Sequence, residues 1–320
     1  MKLPTNGQAA SKQPRRWKNE FWKNKALYLM MAPGLIFLLM FSYLPMLGTV
    51  IAFKQINFQQ GIFKSPWVGL ENFKFLFSTD DWLVITRNTL CYNIAWLFIG
   101  LVLSVALAIG LSELTKKFSA KVFQSILIMP HFLSWVIVAY IVLAFLDVEH
   151  GLMNRILVTL FGKEAINWYV EAKYWPFILT VVNLWKYMGY NSVVYLAAIT
   201  GIDKGLYEAA AIDGATHWQQ VRHITIPSIV PLMIIMSIMA VGKIFNADFG
   251  LFYQVPLQSG ALYSATNVID TYVFNMLQST GTASVGMSAA AGLYQSVCAF
   301  ILVIATNMIV KRIDEDSSLF

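Results

Sequence analysis

The chain has 320 residues, 58% of them apolar and only 12% charged, against about 25% charged in an average soluble domain, which argues against a soluble fold. The net charge of +6 does not signal nucleic acid, because Lys and Arg stand between apolar runs and not on one amphipathic surface. Cys91 and Cys298 lie far apart within apolar runs and provide no disulfide framework. The four histidines form no H-x-x-x-H pair, and no phosphate-binding G-x-x-x-x-G-K-[ST] stretch occurs.

Residues 1–25 are polar and basic, with Pro4, Gly7 and Pro14 arguing against a packed fold, so a surface arm is expected. The apolar run that follows, 26–53, exceeds the 7–15 residues of a signal h-region and lacks a small-residue cleavage site, which favours a retained span. Five more runs near the roughly 20 residues needed to cross a bilayer core follow at 88–111, 122–146, 174–199, 228–245 and 285–310. The expectation is an all-α integral membrane protein with six transmembrane helices over residues 26–310 and a short tail at 311–320. The fifth run is the least regular, since Pro227 and Pro231 stand near its start.

With the amino terminus inside, fourteen Lys and Arg fall on inner segments and seven on outer ones, the asymmetry expected of a multi-pass cell-membrane protein with both termini cytoplasmic. The outer segment 54–87 carries turn residues Ser65, Pro66 and Gly69 among the aromatics Trp67, Phe73, Phe75 and Phe77, read first as an interfacial belt. Residues 246–284 mix Asn246, Asp248 and Tyr253 with other rings. Polar groups between flat aromatic faces suit a sugar, whose hydroxyls need hydrogen bonds and whose C–H faces pack on rings.

Two lysines fall within expected spans, Lys186 in the fourth and Lys243 in the fifth. A charge in hydrocarbon is costly unless it meets water, a partner or the interface, so both are candidates for a substrate path. The structural alternatives are snorkelling for Lys243 and pairing with helix carbonyls for Lys186. Asn183, Tyr187, Tyr190 and Asn191 around Lys186 make the fourth span the first choice for lining a passage.

The polar stretch 202–227 interrupts two long apolar runs. Lys204 to Asp213 reads as a short helix stopped by Gly214, and Thr216 with Gln219 has capping-box spacing for a second helix showing Trp218, Val221 and Thr225 on one face. Ala209–Ala211 give the first helix little bulk, and Glu208 and Asp213 are placed to meet basic groups. The residues alone leave open a docking helix or a plain connector.

The pattern E-A-A-x-x-x-G followed by I-x-[LI]-P, carried by Glu208, Ala209, Ala210, Gly214, Ile224 and Pro227 with Ile226 where Leu is common, resembles the signature loop of the permease subunits of binding-protein-dependent ABC importers. The blocks APGLIFLLMFSYLPMLGTVIAFK, SPWVGLENF, NADFGLFYQVP and AGLYQS resemble the carbohydrate branch of that family. The resemblance implies the type I importer permease architecture, with 202–227 as a cytoplasmic coupling loop in which Glu208, Ala209, Ala210, Asp213, Gly214, Ile224 and Pro227 meet an ATPase. It also implies a second homologous permease, cytoplasmic ATPase subunits, an extracytoplasmic solute-binding protein and an oligosaccharide or polysaccharide fragment as substrate. ATP and Mg belong to the ATPase, and no cofactor, catalytic residue or nucleic acid is expected on this chain. A secondary carrier would need intramembrane acids, and the expected spans hold no Asp or Glu.

Overall fold

The structure, a computed structural model, describes residues 22–114, 117–279 and 281–313, so most of the basic arm and residues 314–320 of the tail lie outside the described residues. The described residues fall into two compact units that divide between Val50 and Ile51. The first contains most of α1 (Lys25–Phe53), which changes from α to π winding at Leu39–Tyr43 and to 3₁₀ winding at Leu44–Phe53. Pro45 explains the change, since it has no N–H to give the preceding turn. Leu29, Met30, Phe41 and Leu47 are exposed along α1, the disposition of a segment whose solvent is hydrocarbon.

The second unit contains α2 (Glu71–Ser78), α3 (Asp81–Ser112), α4 (Lys117–Ile128), α5 (Trp135–Leu146), α6 (Leu152–Phe161), α7 (Trp175–Thr200), α8 (Lys204–Ile212), α9 (His217–Val241), α10 (Phe249–Gln254), α11 (Ile269–Gln278) and α12 (Thr282–Ile313), with short turns between them. No strand occurs among the described residues; Lys54 and Trp67 form one isolated bridge. α3 and α7 pack along one another, and Val105, Ala108, Tyr195, Ile199 and Ile229 close the core between them and α9. A second core gathers Trp175, Leu179, Val138, Leu251 and Val268.

All six expected spans are helical, and three of them depart from expectation in form. The third is broken: the helix through residues 120–132 meets α5 at 99°. Pro130 supplies no N–H, and Ser134 restarts the chain by accepting a hydrogen bond from the Ile137 amide. The fourth, α7, has the length of a span but too many polar side chains to count as one on hydropathy, so among the described residues four helices are long and apolar enough to cross, or five with the bent pair. The fifth begins at His217 and not at residue 228, because α9 runs without interruption out of the polar loop. A π turn at Val221–Thr225 absorbs the hydrogen bond that Pro227 cannot make. α9 ends at Val241, which puts Lys243 in an exposed turn beyond the span.

The bend is held by α7. The Lys186 ammonium donates to the carbonyls of Pro130 (3.3 Å), which also accepts from the Leu133 amide, of His131 (3.2 Å) and of Leu133, and lies over the Trp135 ring. Gly189 permits the approach: a Cβ there would stand 1.9 Å from the Leu127 carbonyl oxygen. Outside the bend, Asn154 donates to the carbonyl of Ile166 and accepts from the Ile166 amide and the Trp168 indole, closing the loop between α6 and α7.

Candidate functional site

Residues 183, 187 and 191 recur every four positions and so share one face of α7. In the structure Asn183, Tyr187 and Asn191 line a cleft of about 400 Å³ with Asn93, Trp96 and Ser104 of α3, Met236, Ser237 and Met239 of α9, and Lys243 and Asn246 of the following turn. Five of the nine expected path residues therefore converge. The others do not line it: Lys186 is 4% exposed and spent on the bend, and Tyr190 stacks on His131 with centroids 4.1 Å apart. Tyr253 stacks on Phe249 and meets Phe274 edge-on, while Asp248 sits behind the lining.

Asp248 nonetheless shapes the cleft. Its carboxylate accepts from the Tyr187 hydroxyl (2.6 Å) and from the Leu251 amide (3.3 Å), fixing the tyrosine and capping α10. The turn bearing Lys243 and Asn246 is clamped from two sides. Asn93 donates to the carbonyls of Ile244 (2.8 Å) and Asn246 (3.3 Å), and Gln295 of α12 donates to Phe245 O (2.7 Å) and to Asp270. Asp270 in turn accepts from the Ala247 amide (2.7 Å). Burial pushes its carboxyl above the usual range, against these two donors. Asn93, Gln295 and Asp270 belong to this arrangement but carry no sequence signal, since their partners lie 23 to 153 residues away.

The loop at residues 202–227 is built from local rules. Asp203 caps α8 by accepting from the Gly205 amide (3.0 Å), and Gly214 (φ +79°) ends it in a Schellman motif, with Ala215 N bonded to Ala210 O and Gly214 N to Ala211 O. Thr216 and Gln219 form the expected capping box. The Tyr207 hydroxyl shares a hydrogen bond with Thr225 Oγ1 (2.9 Å), and His217 lies 3.6 Å from Glu113, tying the loop to α9 and α3. Val221 and Thr225 are buried as expected of an inner face, whereas Trp218 is exposed.

The outer side of this loop has no cover among the described residues. Ile212 is 86% exposed, with Leu206, Glu208, Ala209, Asp213, Gly214 and Pro227 also exposed and Ala210 and Ile224 half-buried. Neither the Glu208 nor the Asp213 carboxylate has a partner among the described residues.

Relatives share this chain almost from end to end. It is 35% identical over 301 residues to the protein LplB of Bacillus subtilis (strain 168), covering 94% of this chain and 93% of that one. It is likewise 35% identical over 299 residues to the polygalacturonan/rhamnogalacturonan transport system permease protein YteP of the same organism, covering 92% and 90%. Among solved structures, it matches the crystal structure of a bacterial ABC transporter involved in the import of the acidic polysaccharide alginate with a TM-score of 0.83 and 32% identity, covering 93% of this chain and 99% of that chain. The sequence profile of the binding-protein-dependent transport system inner membrane component family matches residues 97–315. The chain belongs to that family, the multi-pass membrane permeases of ABC importers.

Proposed function

We propose that this permease passes an oligosaccharide or polysaccharide fragment, delivered by an extracytoplasmic solute-binding protein, through the cleft between α3, α7 and α9. The observation that carries the reading is the cleft's lining: Asn183, Asn191 and Asn246 have side-chain amides with no partner among the described residues, beside the rings of Trp96 and Tyr187. Free amides serve hydroxyls, and rings serve the C–H faces of a sugar. The names of relatives agree, since YteP is a polygalacturonan/rhamnogalacturonan permease and AraP of Bacillus subtilis (strain 168) an arabinooligosaccharide permease. A solved relative was captured with an alginate pentasaccharide-bound periplasmic protein.

A second, homologous permease completes the passage, and ATP and Mg are bound by separate cytoplasmic subunits. The loop at 202–227 faces the cytoplasm, as do both termini. Glu208, Ala209, Ala210, Asp213, Gly214, Ile224 and Pro227 form the contact with the ATPase, beside the exposed Ile212. Closure of the ATPase dimer displaces α8, and the rigid helices behind it reopen the cleft outward.

Mild detergent extraction followed by mass spectrometry of the copurified proteins tests the assembly. A second permease and a soluble ATPase are expected, and Glu208→Ala is expected to release the ATPase while the permease pair stays intact. A chain that purifies alone and transports when reconstituted alone would replace this reading with a secondary carrier.

A further inference from the structure

We infer that the cleft selects an anionic oligosaccharide, one bearing uronate carboxylates, and that Lys243 receives the charge. The inference rests on the importer reading above and adds the chemical class of its substrate.

Among the described residues, Lys243 is the one charged side chain on the cleft lining. It forms no ion pair or side-chain hydrogen bond with any described residue. The acid closest in sequence, Asp248, is engaged by the Tyr187 hydroxyl and the Leu251 amide. The two buried lysines are engaged within the fold. Lys54 donates to the carbonyls of Ile62 (3.0 Å) and Phe63 (2.8 Å), and Lys186 to three carbonyls at the bend. Those two are buried and saturated, whereas Lys243 is exposed on the cleft lining with its ammonium uncommitted.

The backbone beneath Lys243 is fixed, because Asn93 and Gln295 clamp the next three residues, while its four-carbon stem stays free to follow a ligand. A neutral sugar would be satisfied by Asn183, Asn191 and Asn246 and would leave the ammonium facing water. A carboxylate adds a charge-assisted bond to the same set of amide contacts, in a cleft whose apolar walls from Met236 and Met239 strengthen the attraction.

The test uses the whole importer, with its partner permease, ATPase and binding protein, in proteoliposomes. Uptake of a galacturonate trisaccharide is compared with uptake of its carboxyl-reduced, neutral counterpart. Lys243→Gln is expected to lower uptake of the acidic sugar at limiting concentration about tenfold, the loss of one charge-assisted contact, while Lys243→Arg retains it and neither change alters uptake of the neutral sugar. Acidic uptake unaltered by Lys243→Gln, an equal loss for both sugars, or uptake of the neutral sugar alone overturns the assignment and leaves the carbohydrate reading standing. Uptake of neither sugar overturns both.

Discussion

The Lys186 ammonium lies 4.8 Å from the centroid of the Trp135 ring, across the point where the third span turns. One side chain thereby joins α7 to both halves of the bent pair, since the same ammonium holds the carbonyls of Pro130 and His131 on one side and of Leu133 on the other. An intramembrane lysine is usually read as part of a transport path. This one supports the architecture around the cleft.

Lys186→Met keeps the apolar stem and removes the donor, leaving the His131 and Leu133 carbonyls at the bend without it. We expect a loss of about 2–3 kcal/mol, read as a lower thermal unfolding midpoint of the purified protein. An unchanged midpoint would show that water or lipid satisfies those carbonyls.

Gly189→Ala and Gly110→Ala separate close packing from helix propensity. At Gly189 the added carbon meets the Leu127 backbone, whereas at Gly110 nothing lies within 4 Å. The first is expected to destabilise by about 2 kcal/mol and the second to be neutral or to stabilise by up to about 1 kcal/mol. Equal midpoints for the two variants would refute the close approach of α4 and α7.

Gly214→Ala forces a side chain into a left-handed turn, φ +79°, at about 1 kcal/mol. Because α8 is exposed and its end is held by two local hydrogen bonds, the strain should appear there and not in global stability. Hydrogen exchange is expected to quicken at the Gly214 and Ala215 amides, with the unfolding midpoint kept.

Asp147, at the end of α5, accepts hydrogen bonds from the amides of His150 (2.7 Å) and Glu149 (3.1 Å), and these hold its carboxyl below the usual carboxylate range. A depressed folded value means that the stabilisation is present above the unfolded value near pH ~3.9 and is lost as pH falls through the folded one. The stability difference between wild type and Asp147→Asn should therefore shrink below about pH 4. A constant difference between neutral and acidic pH would contradict this.

Much of the fold and one of its two candidate surfaces are legible in the sequence, for a physical reason. Run length reports helices, and the loop at 202–227 is dictated by neighbours a few residues apart: Asp203 with Gly205, Ala210 with Ala215, Thr216 with Gln219. The cleft is legible only through the four-residue repeat of Asn183, Tyr187 and Asn191. What escapes is set by contacts between distant segments. Pro130 marks a weak point in the third span, but the angle depends on Lys186 some fifty residues on. Hydropathy extends the fifth span through Lys243, while the helix stops at Val241 because Asn93 and Gln295 draw the following turn back into the core.

The uninterrupted course of α9 sets a mechanical scale. Twenty-five residues at ~1.5 Å each make a rod of roughly 37 Å that begins beside the Thr216 cap and finishes just short of Lys243. Pivoted at one end, a tilt of about 10° sweeps the other by roughly 6 Å, comparable to the width of a sugar ring. On the proposed function, leverage of this kind would carry a push on the nine-residue helix at one end to a gap of monosaccharide size at the other.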